Sequence, residues 1–197
     1  MSHLLERFDV VVSLVHTDAP GAPDWPEDPY RPVSMKGVDG LKSFVGNEYL
    51  QPSSTLVASV ALRALNTLVV PLMAEAFTVH LLPALYPGVG DSGSGRYPGF
   101  DKLFADLSHD PLASYLAADT NAMETMADAM LGAIAGSVPA DAAGTLVIAG
   151  HSVPNQAMLW RLAPDSLKSV LADMAVTKGD LVALTPKGVE HLDSLGD

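Results

Sequence analysis

Phe8-Asp9-Val10-Val11-Val12-Ser13-Leu14-Val15-His16-Thr17-Asp18 is a short apolar run that stops at a histidine. Its valines are stiff at χ1 and poor in a helix, and apolar residues dominate without polar alternation. The run therefore predicts a strand buried on both faces of a parallel sheet. Ala19-Pro20-Gly21-Ala22-Pro23 follows and reads as loop. His16 is thus expected at the carboxyl end of a central strand, where open α/β sheets place their ligand sites. The pattern returns late in the chain. Gly144-Thr145-Leu146-Val147-Ile148-Ala149-Gly150 is a second buried-strand run, and it too ends at a histidine, His151.

Between and beyond these runs the pattern alternates. Residues 19–33 form a proline-rich acidic loop holding Trp25 and Tyr30. Ser34 is a plausible N-cap for a helix running towards Tyr49. Thr55-Leu56-Val57-Ala58 is a short strand. Residues 60–76 favour helix, with a break at Pro71. Residues 77–82 are a strand candidate, and the glycine-rich stretch 86–99 is a long loop of the kind that often serves as a lid. Helices are expected over 101–107 and 111–118. Asn121-Ala122-Met123-Glu124 has the form of a capping box opening a further helix to about Gly136. Met123, Met126 and Met130 fall on one face of it and read as core. Helices over 155–162 and 165–174, a strand over 180–184 and a final helical turn from Pro186 complete the chain. Strands alternating with helices predict a single domain over 1–197, a three-layer α/β/α sandwich with a central, mostly parallel sheet.

Composition narrows the functions. The 197 residues are 48% hydrophobic and 17% charged, which suits one buried core. The formal net charge of -12 argues against nucleic acid or an anionic membrane as partner, since either needs a basic face. With no cysteine, disulfides, thiol catalysis and zinc–thiolate sites are ruled out. The first apolar run is too short to span a bilayer and no small-residue cleavage site follows it, so the expectation is a soluble cytoplasmic protein. The apolar segments 76–85 and 112–116 suit either the core or the interface of a homo-oligomer.

Four pieces of the sequence, in order, resemble the histidine phosphatase superfamily, the group that includes the cofactor-dependent phosphoglycerate mutases. Leu14-Val15-His16-Thr17-Asp18 stands where the family carries Arg-His-Gly-Glu. Arg31-Pro32-Val33-Ser34-Met35-Lys36-Gly37 resembles its Pro-Leu-Thr-x-x-Gly helix start. Residues Ser59 to Thr67 follow its Ser-x-x-x-Arg-Ala-x-Gln-Thr segment, and Val147-Ile148-Ala149-Gly150-His151-Ser152 resembles its second histidine motif. The resemblance spans roughly residues 8–160. It implies a small phosphorylated molecule or phosphate as partner, with no metal and no cofactor. His16 would be the nucleophile, forming a phosphohistidine. Arg63 would grip the phosphoryl oxygens with its planar fork, and His151 would donate to the same oxygens.

The departures are specific. Val15 replaces the arginine before the nucleophile, and Thr17 replaces the glycine after it. Where the family usually has a glutamate after the third strand, this chain has Pro83-Ala84-Leu85-Tyr86. Asp18, Asp91 or Asp101 are candidate replacements for that acid, and Arg96 is a candidate for the missing cation. Two other readings follow. One is a catalytically inactive phosphate-binding or interaction protein on the same fold. The other is a serine acyl hydrolase. Gly150-His151-Ser152-Val153-Pro154 joins a strand to a helix as a nucleophile elbow does, with Asp165 or Asp173 and His191 to complete a triad. Against it, Pro154 occupies the elbow's last glycine position. His3, His80, His109 and His191 show no metal-ligand spacing to one another and read as ordinary.

Overall fold

A computed structural model describes residues 4, 6–20, 28–72, 76–88, 96–108 and 110–193. In chain order the elements are β1 (Phe8–Val15), α1 (Met35–Leu41), β2 (Thr55–Ser59), α2 (Leu62–Val69), β3 (Val79–Leu82), α3 (Pro98–Leu107), α4 (Leu112–Ser137), β4 (Gly144–Gly150), α5 (Ser152–Leu162), α6 (Asp165–Asp173), β5 (Leu181–Thr185) and β6 (Gly188–Leu192). They build one six-stranded sheet in the order β3-β2-β4-β1-β5-β6. The first four strands are parallel, and β5 and β6 run antiparallel at one edge.

The valine-rich strands are buried on both faces because successive side chains point into different layers. Val11, Leu146 and Ile148 join Met123, Met126, Met130 and Phe100 in a core beneath α3–α6. Val12, Leu14, Val147 and Ala149 join Leu41 and Leu68 in a second core beneath α1 and α2. The sheet is the middle of a three-layer α/β/α sandwich, and the methionine stripe is core.

Three local expectations need correction. The tail from Pro186 is not helical. Pro186 and Lys187 form the turn of a β5–β6 hairpin, in which Thr185 Oγ1 accepts from Lys187 N and Gly188 takes a φ of 140°. Pairing with β5 and the packing of Val189 on the core outweigh any helical tendency there. Asn121 is not a cap. The helix from Leu112 runs to Ser137 with a break at Asp119, whose Oδ1 accepts from Ala122 N at 3.0 Å. Asp119 is therefore the internal cap, two residues earlier than the sequence pattern suggests. Finally, α1 ends at Leu41 and passes through a 3-10 turn over Lys42–Phe44, because the chain turns at Gly46 with a φ of 79°.

Ser34 caps α1 as expected, accepting from Gly37 N at 3.1 Å. Gly37 then sits directly under the loop that leaves β1. A Cβ there would lie 2.7 Å from the Asp18 carbonyl, 2.7 Å from the Thr17 methyl and 2.8 Å from Val33. Two of these neighbours are side chains wedged between elements and one is backbone, so none can move cheaply. Gly37→Ala is expected to destabilise the protein by about 2 kcal/mol, lowering the melting temperature by about 4–8 °C. Thermal denaturation followed by circular dichroism checks this, and an unchanged melting temperature would show that the β1–α1 contact is looser than described.

Candidate active site

β1 and β4 pair in parallel register, with Val15 opposite Gly150. The residues that follow, His16 and His151, therefore leave neighbouring strands at the same end of the sheet. Their rings lie 5.1 Å apart at 73°, and His16 N donates to the Gly150 carbonyl at 2.9 Å. β2 lies on the other side of β4 and ends at Ser59, whose Oγ is 3.4 Å from His151 Nε2. Arg63 stands in the first turn of α2 and is only 4% exposed. Thr67 Oγ1 donates to the Arg63 carbonyl at 2.7 Å and accepts from Thr17 N at 3.3 Å. The helix carrying the arginine is thus tied to the residue after His16.

The His16 ring is oriented by its own backbone. Nδ1 lies 2.9 Å from the Thr17 carbonyl. A carbonyl only accepts, so Nδ1 carries a proton, and in the neutral ring the lone pair is on Nε2. That is the tautomer a nucleophile needs. His151 is 9% exposed, with the Tyr86 ring 5.7 Å from its own.

Both histidines and Arg63 open into a cavity of about 620 Å³. Arg31 and Lys178 add positive charge to its lining, and Asp110 and Asp173 add two carboxylates. The amino end of α5 also opens on it at Ser152 and Val153, which favours an anion there. A smaller concavity of about 320 Å³, lined in part by Thr55 and His80, lies at the start of β2 and away from the histidines.

The structure thus brings together three of the residues singled out in the sequence, His16, Arg63 and His151. The others are placed differently. Asp18 does not line the cavity. Its Oδ2 accepts from Ser34 Oγ at 2.8 Å and its carbonyl accepts from Ser34 N, so it fastens the β1 loop to the start of α1. Arg96 is exposed and lies outside the lining, while its backbone N donates to the Pro87 carbonyl. Asp91 lies outside the described residues, as do Trp25, His3 and His109. Asp101 is buried in α3. Ser152 and Asp173 line the cavity, but Asp165 and His191 do not. Asp165 is exposed, and its hydrogen bond from Lys168 holds its carboxyl below the usual range. His191 sits between Asp180 and Asp193, 3.1 and 3.2 Å away, and no Ser–His–Asp set is assembled with Ser152.

Several cavity residues carry no signal in the sequence. Arg31 heads the quoted segment 31–37, yet only the fold turns it towards His16, with Nη1 donating to the Pro20 carbonyl at 3.1 Å. Asp110 follows the turn at Ser108, a non-glycine residue at φ 44°. That turn is held by the Tyr115 hydroxyl, which donates to the Ser108 carbonyl at 2.7 Å and which burial pushes up to about 12. Asn155 supports the strand ends from beneath, its Nδ2 donating to the Ile148 carbonyl at 3.1 Å. A Cβ on Gly150 would lie 2.5 Å from Asn155 Oδ1, which explains the glycine before the second histidine.

No protein-family model matches the sequence, and no curated protein matches it. Solved structures do match, over nearly the whole chain. The protein histidine phosphatase SixA in complex with tungstate aligns with a TM-score of 0.52 and 17% identity, covering 94% of this chain and 97% of that one. Alpha-ribazole phosphatase from Shigella flexneri aligns with a TM-score of 0.53 and 15% identity over 93% and 95%. Mycobacterial glucosyl-3-phosphoglycerate phosphatase with inorganic phosphate gives 0.53 and 16% over 94% and 95%. The chain has the histidine phosphatase fold. No helix among the described residues is long and apolar enough to cross a membrane.

The backbone contact of His16 makes a spectroscopic prediction. In long-range nitrogen–proton correlation spectra, the neutral His16 ring is expected as the Nδ1–H tautomer, identified by its loss in His16→Ala. A neutral ring protonated on Nε2 would contradict the geometry.

Proposed function

We propose that the protein hydrolyses phosphate monoesters through a phosphohistidine on His16. The observation that carries this reading is His16, its Nδ1 held on the Thr17 carbonyl, in one cavity with His151 and a buried Arg63. A phosphomonoester brings close to two negative charges at neutral pH, and the cationic groups and the α5 amino end suit that charge. The fold shared with proteins solved with tungstate or phosphate supports the same reading.

In the first step the Nε2 lone pair attacks phosphorus. The bond from phosphorus to the ester oxygen breaks, and the departing oxygen takes a proton from a carboxylic acid. In the second step water attacks phosphorus, the phosphorus–nitrogen bond breaks and phosphate leaves. The water proton returns to the carboxylate, and His16 is restored. Arg63 and His151 hold the phosphoryl oxygens throughout. Arg31 supplies the second guanidinium that Val15 cannot. We assign the proton donor to Asp110, which lines the cavity and whose backbone N donates to the Leu107 carbonyl at the end of α3.

The absence of arginine and glycine at positions 15 and 17 favours a second reading, a protein that binds phosphate or a phosphorylated molecule without turning it over. Hydrolysis of a generic aryl phosphate by wild type and by His16→Ala separates the two. Turnover in wild type that disappears in His16→Ala is the expected result. Turnover in neither protein leaves the binding reading, and turnover that survives His16→Ala sinks the phosphohistidine and points to Ser152.

Two variants refine the roles. Arg63→Ala is expected to lower kcat/KM by about two to three orders of magnitude, as loss of one oxyanion donor does. Asp110→Asn is expected to slow alkyl phosphates far more than p-nitrophenyl phosphate, because nitrophenolate leaves without a proton. An equal loss on both substrates would remove Asp110 from the acid role.

A further inference from the structure

The cavity is much larger than a phosphoryl group. At about 620 Å³ it has the volume of about twenty waters, taking roughly 30 Å³ for each. The few heavy atoms of a phosphoryl group would occupy only the end where His16, Arg63 and His151 meet. Beside the charged groups Arg31, Asp110, Asp173 and Lys178, the larger part of the remaining wall is apolar. Phe100 and Phe104 come from α3, with ring centroids 5.7 Å apart, and Phe100 is held from behind by Tyr115, stacked at 6.0 Å. Pro111 opens α4 and Pro154 lies in the first turn of α5. Prolines have no backbone N–H, so this wall offers few donors to a hydroxyl-rich group. Gln156 also lines the cavity, but its amide nitrogen is committed elsewhere. Nε2 donates to the carbonyls of Leu171 and Met174.

A sugar or peptide bound here would leave polar groups desolvated and unpaired, at a cost that flat apolar groups escape. We propose that the substrates are phosphate monoesters of planar, apolar alcohols or phenols, with the ring packed against Phe104. This rests on the reading that the phosphoryl group sits at His16, but it concerns the other end of the ligand. Asp110 immediately precedes Pro111, so the proposed acid stands where such a leaving group would depart.

The test separates this proposal from catalysis by using ligands that are not turned over. Isothermal titration calorimetry compares 2-naphthylmethylphosphonate, n-octylphosphonate and methylphosphonate against the full chain. The naphthylmethyl compound is expected to bind at least about tenfold more tightly than methylphosphonate, as burial of one ring predicts. It should also bind more tightly than the octyl compound. The ratio of naphthylmethyl to methyl affinity is expected to collapse in Phe104→Ala and to persist largely in Phe104→Leu, which keeps an apolar wall and guards against a variant that fails to fold. Equal affinity for naphthylmethyl- and methylphosphonate would overturn the proposal, as would a ratio unchanged by Phe104→Ala. Octyl binding equal to naphthylmethyl binding would overturn its planar part. A strong naphthylmethyl preference in a protein without turnover would uphold the ligand class while removing the phosphatase reading.

Discussion

The parallel pairing of β1 with β4 is the constraint on which the site depends. One register, Val15 opposite Gly150, decides that His16 and His151 leave the sheet together and on the same side. A slip of one residue would turn His16 to the other face, since strand side chains alternate. The register is fixed by burial. Val11 and Val12 enter different cores, and so do Leu146 and Val147, so any slip would exchange two fully buried sets. The same apolar packing that makes the strands unremarkable as sequence therefore aligns the two imidazoles.

Around that pairing the protein spends polar interactions on the loop after β1 rather than on the cavity floor. Asp18 accepts from Ser34, Ser34 caps α1, and Gly37 leaves room for the Thr17 methyl. Thr17 also donates its N–H to Thr67 of α2. The position that resembles a family glycine thus carries a threonine that is 4% exposed and tied to both neighbouring helices. A stiffer residue there holds the Thr17 carbonyl in place, and that carbonyl sets the tautomer of His16. The departure that looks like erosion of a motif in the sequence is, in the structure, a different way of holding His16.

What could be read from the sequence follows the same division. The two strand-end histidines were legible because buried parallel strands leave a strong apolar signature and a polar stop. Arg63 was legible through the resemblance of the segment from Ser59 to Thr67 to a family motif, since an arginine in a helix's first turn could equally lie over the surface. The charged groups supplied by long connections were not legible. Arg31, Asp110 and Lys178 reach the cavity from segments separated by most of the chain, and no periodicity relates them. Asp18 and Arg96 were drawn in by nearness in sequence to the motif or the loop, but local hydrogen bonding decides their place. For Asp18, the Ser34 hydroxyl, two residues beyond Pro32, outweighs adjacency to His16. The tail differs for a related reason, since β6 is an edge strand that forms only by pairing with β5, and its own sequence carries no clear strand pattern.

The distribution of charge carries one further consequence. A chain of net charge -12 repels anions at long range, yet its cavity gathers two arginines, a lysine, two histidines and a helix amino end. Arg63 is nearly fully buried, so the contact it would make with a phosphoryl group is shielded from salt far more than a surface pair. Attraction at such a site acts over the last few ångströms and not over the approach. A ligand recognised only by its charge would gain little on the way in, whereas one with a large apolar body gains by burying it whatever the field outside. An acidic chain, a cationic end and a largely apolar remainder are therefore consistent with one another, and on the proposed function they would select for the body of an ester as well as for its phosphate.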